Sequence, residues 1–302
     1  MKQKYEELIT EGTKLFKEGK SKKAAKYFEE AFEYRVNPND VMTLGFIYLE
    51  LKNYARAEDL FNAVLEIERN ARGLYGLGLV KDNLNKKTEA IALYEEAIAL
   101  EDTEPLIYFD CAYVYDELGE FDKAIAYYQK AIALNKDYFW AHLNLGSIYE
   151  KLGKDYLALE AFQKAYKIDD QMPMIAYNLG VVHAKLKNDD LALKYYLKEL
   201  ERKTPYKMIY YNLGLLYKDA FKDYRKAKIA YLEGLKQDKD NFLIWYNLGC
   251  LYAIMKDYDN AYECFLYLYF KNREIFNYSL IDEELIEFRQ SSQYKKIMGI
   301  NP

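Results

Sequence analysis

FWAHLNLGSIYEKLGKDYLALEAFQKAYKIDDQM, residues 139–172, reads as two short amphipathic helices joined by a turn. The first carries Leu145, Gly146 and Tyr149. In the second, Ala158, Phe162 and Ala165 fall at i, i+4 and i+7 and share one helix face. Gly153 stands where the first helix must end, because glycine takes the left-handed capping conformation at little cost. A helix pair this small cannot bury its apolar face alone, so it implies copies stacked on either side.

The copies are present. Alignment on the small residue of the first helix gives Gly12, Gly45, Gly78, Ala112, Gly146, Gly180, Gly214 and Gly249, spaced 33 to 35 residues apart. Twelve residues after each comes an alanine (Ala24, Ala57, Ala90, Ala124, Ala158, Ala192, Ala261), except that Ala227 follows Gly214 by thirteen. Four residues beyond each alanine is an aromatic: Phe28, Phe61, Tyr94, Tyr128, Phe162, Tyr196, Tyr231 and Phe265. The small residues are expected to let the two helices approach closely, and the aromatics to fill the space between neighbouring units. The extra residue of the seventh copy falls within LYKDAFKDYRKA, at the turn between helices, where an insertion costs little.

This pattern resembles the tetratricopeptide repeat family, whose motif runs large apolar residue, Leu-Gly, Tyr, turn Gly, Ala, aromatic, Ala. Here it is met by Trp245, Leu248–Gly249 and Tyr252, and by Leu145–Gly146, Tyr149 and Gly153. The resemblance covers residues 5–275 as eight repeats: 5–37, 38–70, 71–104, 105–138, 139–172, 173–206, 207–241 and 242–275. Departures are mild. Val64, Glu199, Gly234 and Leu268 replace the second alanine, and Lys81 and His183 replace the tyrosine. Pro38, Pro105 and Pro173 open repeats at helix N-termini, where proline is tolerated. Residues 276–302 lack the motif but keep helical spacing in Leu285, Ile286 and Phe288, and again in Tyr294, Ile297 and Met298, as expected of a helical cap over the last open face. The N-terminus has no separate cap, its polar face being Lys2, Lys4, Glu7 and Glu11. The resemblance implies an all-α, right-handed α-solenoid: a superhelix of stacked helix-turn-helix repeats with a C-terminal capping helix.

Composition narrows the function. Hydrophobic residues at 51% exclude a disordered chain, and a net charge of −5 argues against nucleic acid as the ligand. No apolar run approaches a membrane span, and MKQKYEELITEG lacks the continuous apolar stretch of a secretory signal, so the expected location is cytoplasmic. Cys111, Cys250 and Cys264 form no CxxC and fit reduced thiols, with neither a disulfide framework nor a metal site. The 33 tyrosines read as packing residues; abundant Lys, Asn and Tyr with little Pro or His suit an AT-rich bacterial genome. His142 and His183 occupy motif positions normally filled by large apolar or aromatic residues, and Gly76 and Gly78 lie within a helix rather than after a strand. No catalytic residue and no cofactor is expected.

In the family, the first helices line the concave surface where ligands lie. That orientation exposes the residue two before each small residue, which is Asn144, Asn178, Asn212 and Asn247 from the fifth repeat on, after Thr10, Thr43, Gly76 and Asp110. Asparagine offers donor and acceptor together, so a line of them can hold the backbone of an extended peptide. Such a line resembles the ladder in the repeats of the O-linked N-acetylglucosamine transferases. The residues just before are Leu143, Tyr177, Tyr211 and Tyr246, able to pack ligand side chains. The alternative reading has the asparagines bonded to water or the next helix and the tyrosines packed on the adjacent repeat. Glu50, Asp82, Asp110, Asp116 and Glu117 form a more acidic N-terminal half that would favour a basic segment, or else a solvated surface. A chaperone-tail clamp is not expected, since its lysine and asparagine slots hold Tyr177 and Val181, or Phe109 and Tyr113. The expected function is a non-catalytic protein–protein interaction scaffold binding an extended peptide or helix of another protein. The alternatives are a self-associating structural protein (a homo-oligomer) and a peptide-sensing regulator of an enzyme in trans.

Overall fold

A computed structural model describes residues 2–299, and every regular element among them is helical. The chain forms two compact units, one ending at Leu152 and the other beginning at Gly153. The N-terminal unit stacks four helix pairs: α1 (Lys2–Lys17) with α2 (Ser21–Phe32), α3 (Pro38–Glu50) with α4 (Tyr54–Ile67), α5 (Ala71–Asn83) with α6 (Lys87–Leu100), and α7 (Pro105–Glu117) with α8 (Phe121–Leu134). It ends with α9 (Phe139–Lys151), the first helix of a fifth pair. The C-terminal unit begins with α10 (Asp155–Ile168) and continues with three pairs: α11 (Ile175–Lys185) with α12 (Asp189–Leu200), α13 (Ile209–Asp219) with α14 (Tyr224–Gln237), and α15 (Phe242–Ile254) with α16 (Tyr258–Lys271). It closes with three short helices, α17 (Arg273–Tyr278), α18 (Ile286–Gln290) and α19 (Ser292–Ile297), and a single 3-10 turn at Glu283–Leu285.

The small-residue register works through contact with a ring. A Cβ added to Gly214 would lie 2.1 Å from the ring of Tyr231, and one on Gly78 would lie 2.5 Å from Tyr94. Gly12, Gly45, Gly180 and Gly249 stand in the same way against Phe28, Phe61, Tyr196 and Phe265, all of them buried. The aromatic therefore lies first of all over its own pair's first helix. Phe61 shows how it also reaches the neighbour: a Cβ on Gly76 of the next pair would meet the same ring at 2.4 Å.

Each turn from first to second helix contains one left-handed residue. Glycine fills it at Gly19, Gly119 and Gly153, but Lys52, Asn85, Lys187, Lys222 and Lys256 adopt the same conformation, with φ between 53° and 60°. At Lys52 the amide bonds to the Leu49 carbonyl and the next amide, of Asn53, to that of Tyr48, both at 2.9 Å, which satisfies carbonyls the helix end leaves open. The seventh repeat's extra residue is absorbed here, as Phe221 between Ala220 and Lys222. Asn53, Asp223 and Asp257 then cap the following helices by accepting backbone N–H bonds.

Two expectations need correction. Pro38 and Pro105 do open helices, whereas Pro173 lies in a turn: Met174 follows at φ 69°, a non-helical conformation, so α11 begins only at Ile175. The C-terminal cap is not one helix but three short ones. Leu285, Phe288, Tyr294 and Ile297 are buried against Ala261, Phe265 and Leu268 of α16, while Ile286, expected beside them, is half exposed. Residues 300–302 of the expected cap lie outside the described residues.

Gly214→Ala is expected to cost about 1–3 kcal/mol, since the Tyr231 ring must be pushed aside in a packed core. Lys52→Gly is expected to stabilise by about 1 kcal/mol through relief of the left-handed strain. Urea denaturation of the two variants beside the parent chain checks both signs.

Candidate functional site

In each unit, first helices of successive pairs approach one another directly, α3 against α5 and α7 against α9, then α11 against α13 and α13 against α15. Their shared surface carries the residues singled out from sequence. The asparagines there are half-buried, and three of four are engaged. Asn144 donates to the Tyr128 hydroxyl at 3.1 Å. Asn212 donates to the Tyr177 hydroxyl, one repeat earlier, at 2.9 Å. Asn247 donates to the Leu243 carbonyl of its own helix at 2.9 Å. Asn178 alone makes no side-chain hydrogen bond among the described residues.

The tyrosines are thus tied to the next repeat. Tyr75 continues the pattern in the N-terminal unit by donating to Asp110 at 2.6 Å. Tyr246, with no repeat beyond it, donates to Asp282 of the cap at 2.5 Å. At spacings of 35 and 36 residues, Tyr75 and Tyr177 in the register before the ladder meet the ladder residues Asp110 and Asn212 of the next repeat, and Tyr246 meets the cap.

The acidic residues are mostly neutralised. Asp82 and Glu117 share Lys87, at 2.6 and 2.5 Å, and Asp116 pairs with Lys151 at 3.1 Å. Glu50 is exposed and makes no ion pair among the described residues. Asp110 has no cation. Burial raises its carboxyl to about 6; the Tyr75 bond acts in the opposite direction, and Asp82 adds to the rise.

Sequence reading missed a cavity of about 480 Å³ in the N-terminal unit. Phe16, Phe46, Tyr75 and Ile107 give it an apolar lining contributed by four successive first helices, with Glu101, Glu104 and Arg72 among its polar residues. The Arg72 guanidinium lies 5.5 Å from the centre of the Phe46 ring. A signal for it was available in the register six before each small residue: Arg72, Leu106 and Trp140, then Met174, Met208 and Leu243. Leu106, Trp140, Met174 and Leu243 keep 39–45% of their surface exposed, although they are large and apolar. Leu106, Trp140 and Leu243 sit one helical turn from the ladder residues, on the same face, while Met174 lies just before its helix.

The other reactive groups have structural roles. His142 Nε2 donates to the Lys136 carbonyl at 2.9 Å, and His183 stacks on Tyr195, where burial lowers its pKa. All three cysteines are buried free thiols, Cys264 being pushed up to about 12 by burial. Cys250, Asp282 and Glu284 are the one group among the described residues close enough to hold a metal ion. Their carboxylates are already bonded to Tyr246 and Lys218, so the donor set does not suit a cation.

Comparison with known proteins gives a consistent picture. Sequence models described as TPR repeat or Tetratricopeptide repeat match residues 9–71, 43–105, 116–153, 141–172, 209–241 and 230–263. No curated protein matches the chain. Among solved structures, PilF of Pseudomonas aeruginosa is 19% identical, covering 68% of this chain and 94% of that one, with a TM-score of 0.61. The C-terminal part of a TPR repeat-containing protein of Cytophaga hutchinsonii is 18% identical over 80% of this chain and 99% of that one, at 0.62. YrrB, a TPR protein with an unusual peptide-binding site, is 21% identical over 63% and 98%, at 0.52. At these identities the likeness is one of fold.

Asp110 supplies a pH prediction. Its carboxyl is held above the ordinary 3.8, so its contribution to stability is complete below about pH 4 and is lost as the pH rises through about 6. The full displacement corresponds to at most about 3 kcal/mol, less after solvent screening. Asp110→Asn, which can still accept from Tyr75, is expected to be more stable than the parent at pH 7 and to lose this slope in urea denaturation between pH 4 and 7.

Proposed function

Since the chain belongs to the tetratricopeptide repeat family, we propose that it is a non-catalytic interaction scaffold whose first-helix face holds an extended segment of another protein. The observation that carries this reading is the 480 Å³ cavity on the N-terminal unit, a volume suited to one or two apolar side chains. Glu101, Glu104 and the unpaired Asp110 next to Tyr75 favour a ligand with lysine or arginine beside the apolar anchor. In the C-terminal unit, Asn178 is the ladder residue whose amide is left for a ligand's main chain; Phe162, in the ring register before it, offers no hydroxyl. Asn212 acts between repeats, and Asn247 within its own helix. Three buried thiols suit a reducing compartment, in line with a cytoplasmic location. No helix among the described residues is long and apolar enough to cross a membrane.

A peptide library panned on the full chain tests this. The expected ligands carry an apolar residue flanked by basic ones, and their affinity falls about tenfold in Leu106→Glu. That variant should melt with the parent, since Leu106 is half exposed. Ligands that bind the variant equally well would place the site elsewhere. Within the ladder, Asn212→Ala is expected to lower stability by about 1 kcal/mol by removing the bond to Tyr177. Asn178→Ala should leave stability unchanged and weaken ligand binding alone, as calorimetry on both variants would read.

A further inference from the structure

Lys218 is the most deeply buried cation described, with 5% of its surface exposed. It stands near the end of α13, and its Nζ donates to both carboxylate oxygens of Glu284 in the cap, at 2.8 and 3.1 Å. This bond passes over a whole repeat, since α15 and α16 separate the two residues in sequence. Burial works against the charge of Lys218, but Glu284 and Asp219 more than offset it and raise its pKa above the ordinary lysine value. Two residues before Glu284, Asp282 accepts from Tyr246, and the Cys250 thiol lies 3.8 Å away. The last repeats thus offer a hydroxyl, a thiol and a buried ammonium group, and two carboxylates spaced Asp-x-Glu occupy them.

We propose that this surface is a receptor for acidic segments, and that the turn Leu280–Glu284 is its resident occupant, exchangeable for an acidic segment of another protein. The proposal rests on the reading of the first-helix face as a segment-binding surface, and adds the chemistry taken by its C-terminal end. The way the turn is held supports exchange. Its apolar residues Leu280 and Ile281 are 42% and 77% exposed, so little apolar burial fastens residues 280–284; Arg289 donates to the Ser279 and Asp282 carbonyls, and buried Ser279, Leu285 and Phe288 anchor the chain on either side. Removing the turn with nothing in its place would take from Lys218 its two shortest carboxylate contacts and leave it with Asp219 at 3.3 Å, which is unfavourable for a cation so placed. Replacing it by a second carboxylate pair keeps Lys218 and Tyr246 satisfied. The turn therefore acts as a selective cover: it yields to a segment that brings its own carboxylates and resists one that does not.

The probe is a fluorescein-labelled peptide Ser-Leu-Ile-Asp-Glu-Glu-Leu, copying residues 279–285, titrated into the full chain by anisotropy. With Asp282→Asn and Glu284→Gln combined, the cover loses its carboxylates, and the peptide is expected to bind about tenfold or more tighter than to the parent. Adding Lys218→Met to that background should abolish the gain, while Glu283→Gln alone should have no effect. A folded double variant that binds no better than the parent, or a gain that survives Lys218→Met, overturns the proposal. If the double variant does not fold, hydrogen exchange on the parent chain decides: excess peptide must speed exchange at residues 279–285, and unchanged exchange overturns the proposal. The library ligands of the N-terminal cavity are read through Leu106, so the failure of either reading leaves the other measurable.

Discussion

The constraint on which the structure depends is the contact between a bare backbone and an aromatic ring. Six glycines in first helices lie so near a buried ring of the second helix that a methyl group would fall within 3 Å of it. That distance sets how closely a pair can close, and hence how much apolar surface it buries. Each closed pair still presents an apolar edge, which the next pair must cover. At the C-terminal end the cover is made instead by Phe276, Leu285, Phe288 and Tyr294, packed around Phe265. Three short helices suffice because the remaining surface is that of a single pair's end.

Hydrogen bonding then sets the register between neighbours where ring packing alone would permit sliding. The bonds Tyr75–Asp110, Tyr177–Asn212 and Tyr246–Asp282 join one tyrosine register to the next repeat or, at Tyr246, to the cap, the tyrosine donating to the carboxylates and accepting from the amide. They take from the ladder part of its capacity for ligand. Each asparagine that gives one N–H to a tyrosine keeps its carbonyl oxygen and a second N–H, and the tyrosine keeps its O–H, so both donors and acceptors remain. Asn178 differs in sequence on both counts: the residue 35 before it is Leu143, where Asn212 has Tyr177, and the ring register before it holds Phe162, where Asn144 has Tyr128.

The fold was legible because its determinants are local. Small residue, alanine and aromatic recur at fixed offsets, and each offset has a direct steric meaning. Left-handed turn residues were legible only at the glycines; Lys52 and Lys256 take the same conformation under the demand of the surrounding hydrogen bonds, with no mark in their residue type. The pairing of the acidic residues was not legible for a different reason. Lys87 neutralises Asp82 across a turn and Glu117 across a repeat, and pairing at such distances is set by stacking rather than by sequence neighbourhood. The cavity at Phe46 and Tyr75 was missed because it is a property of four helices together, although Leu106 and Trp140, exposed and apolar, were visible along the chain.

What folding does not account for is charge held where a neutral residue would serve. The ladder register accepts asparagine in four repeats, yet in the fourth it holds Asp110, whose ionised form is disfavoured by burial and has no cation to compensate it. Lys218 is likewise surrounded by protein, and the corresponding residue of the next repeat is Ala253. Replacing buried ions by well-packed neutral groups is commonly neutral or stabilising, so packing supplies no reason to keep them. The proposed function supplies one: on that reading Asp110 pairs with a cationic side chain and Lys218 with an acidic segment, which would let the surface discriminate among segments of similar apolar content.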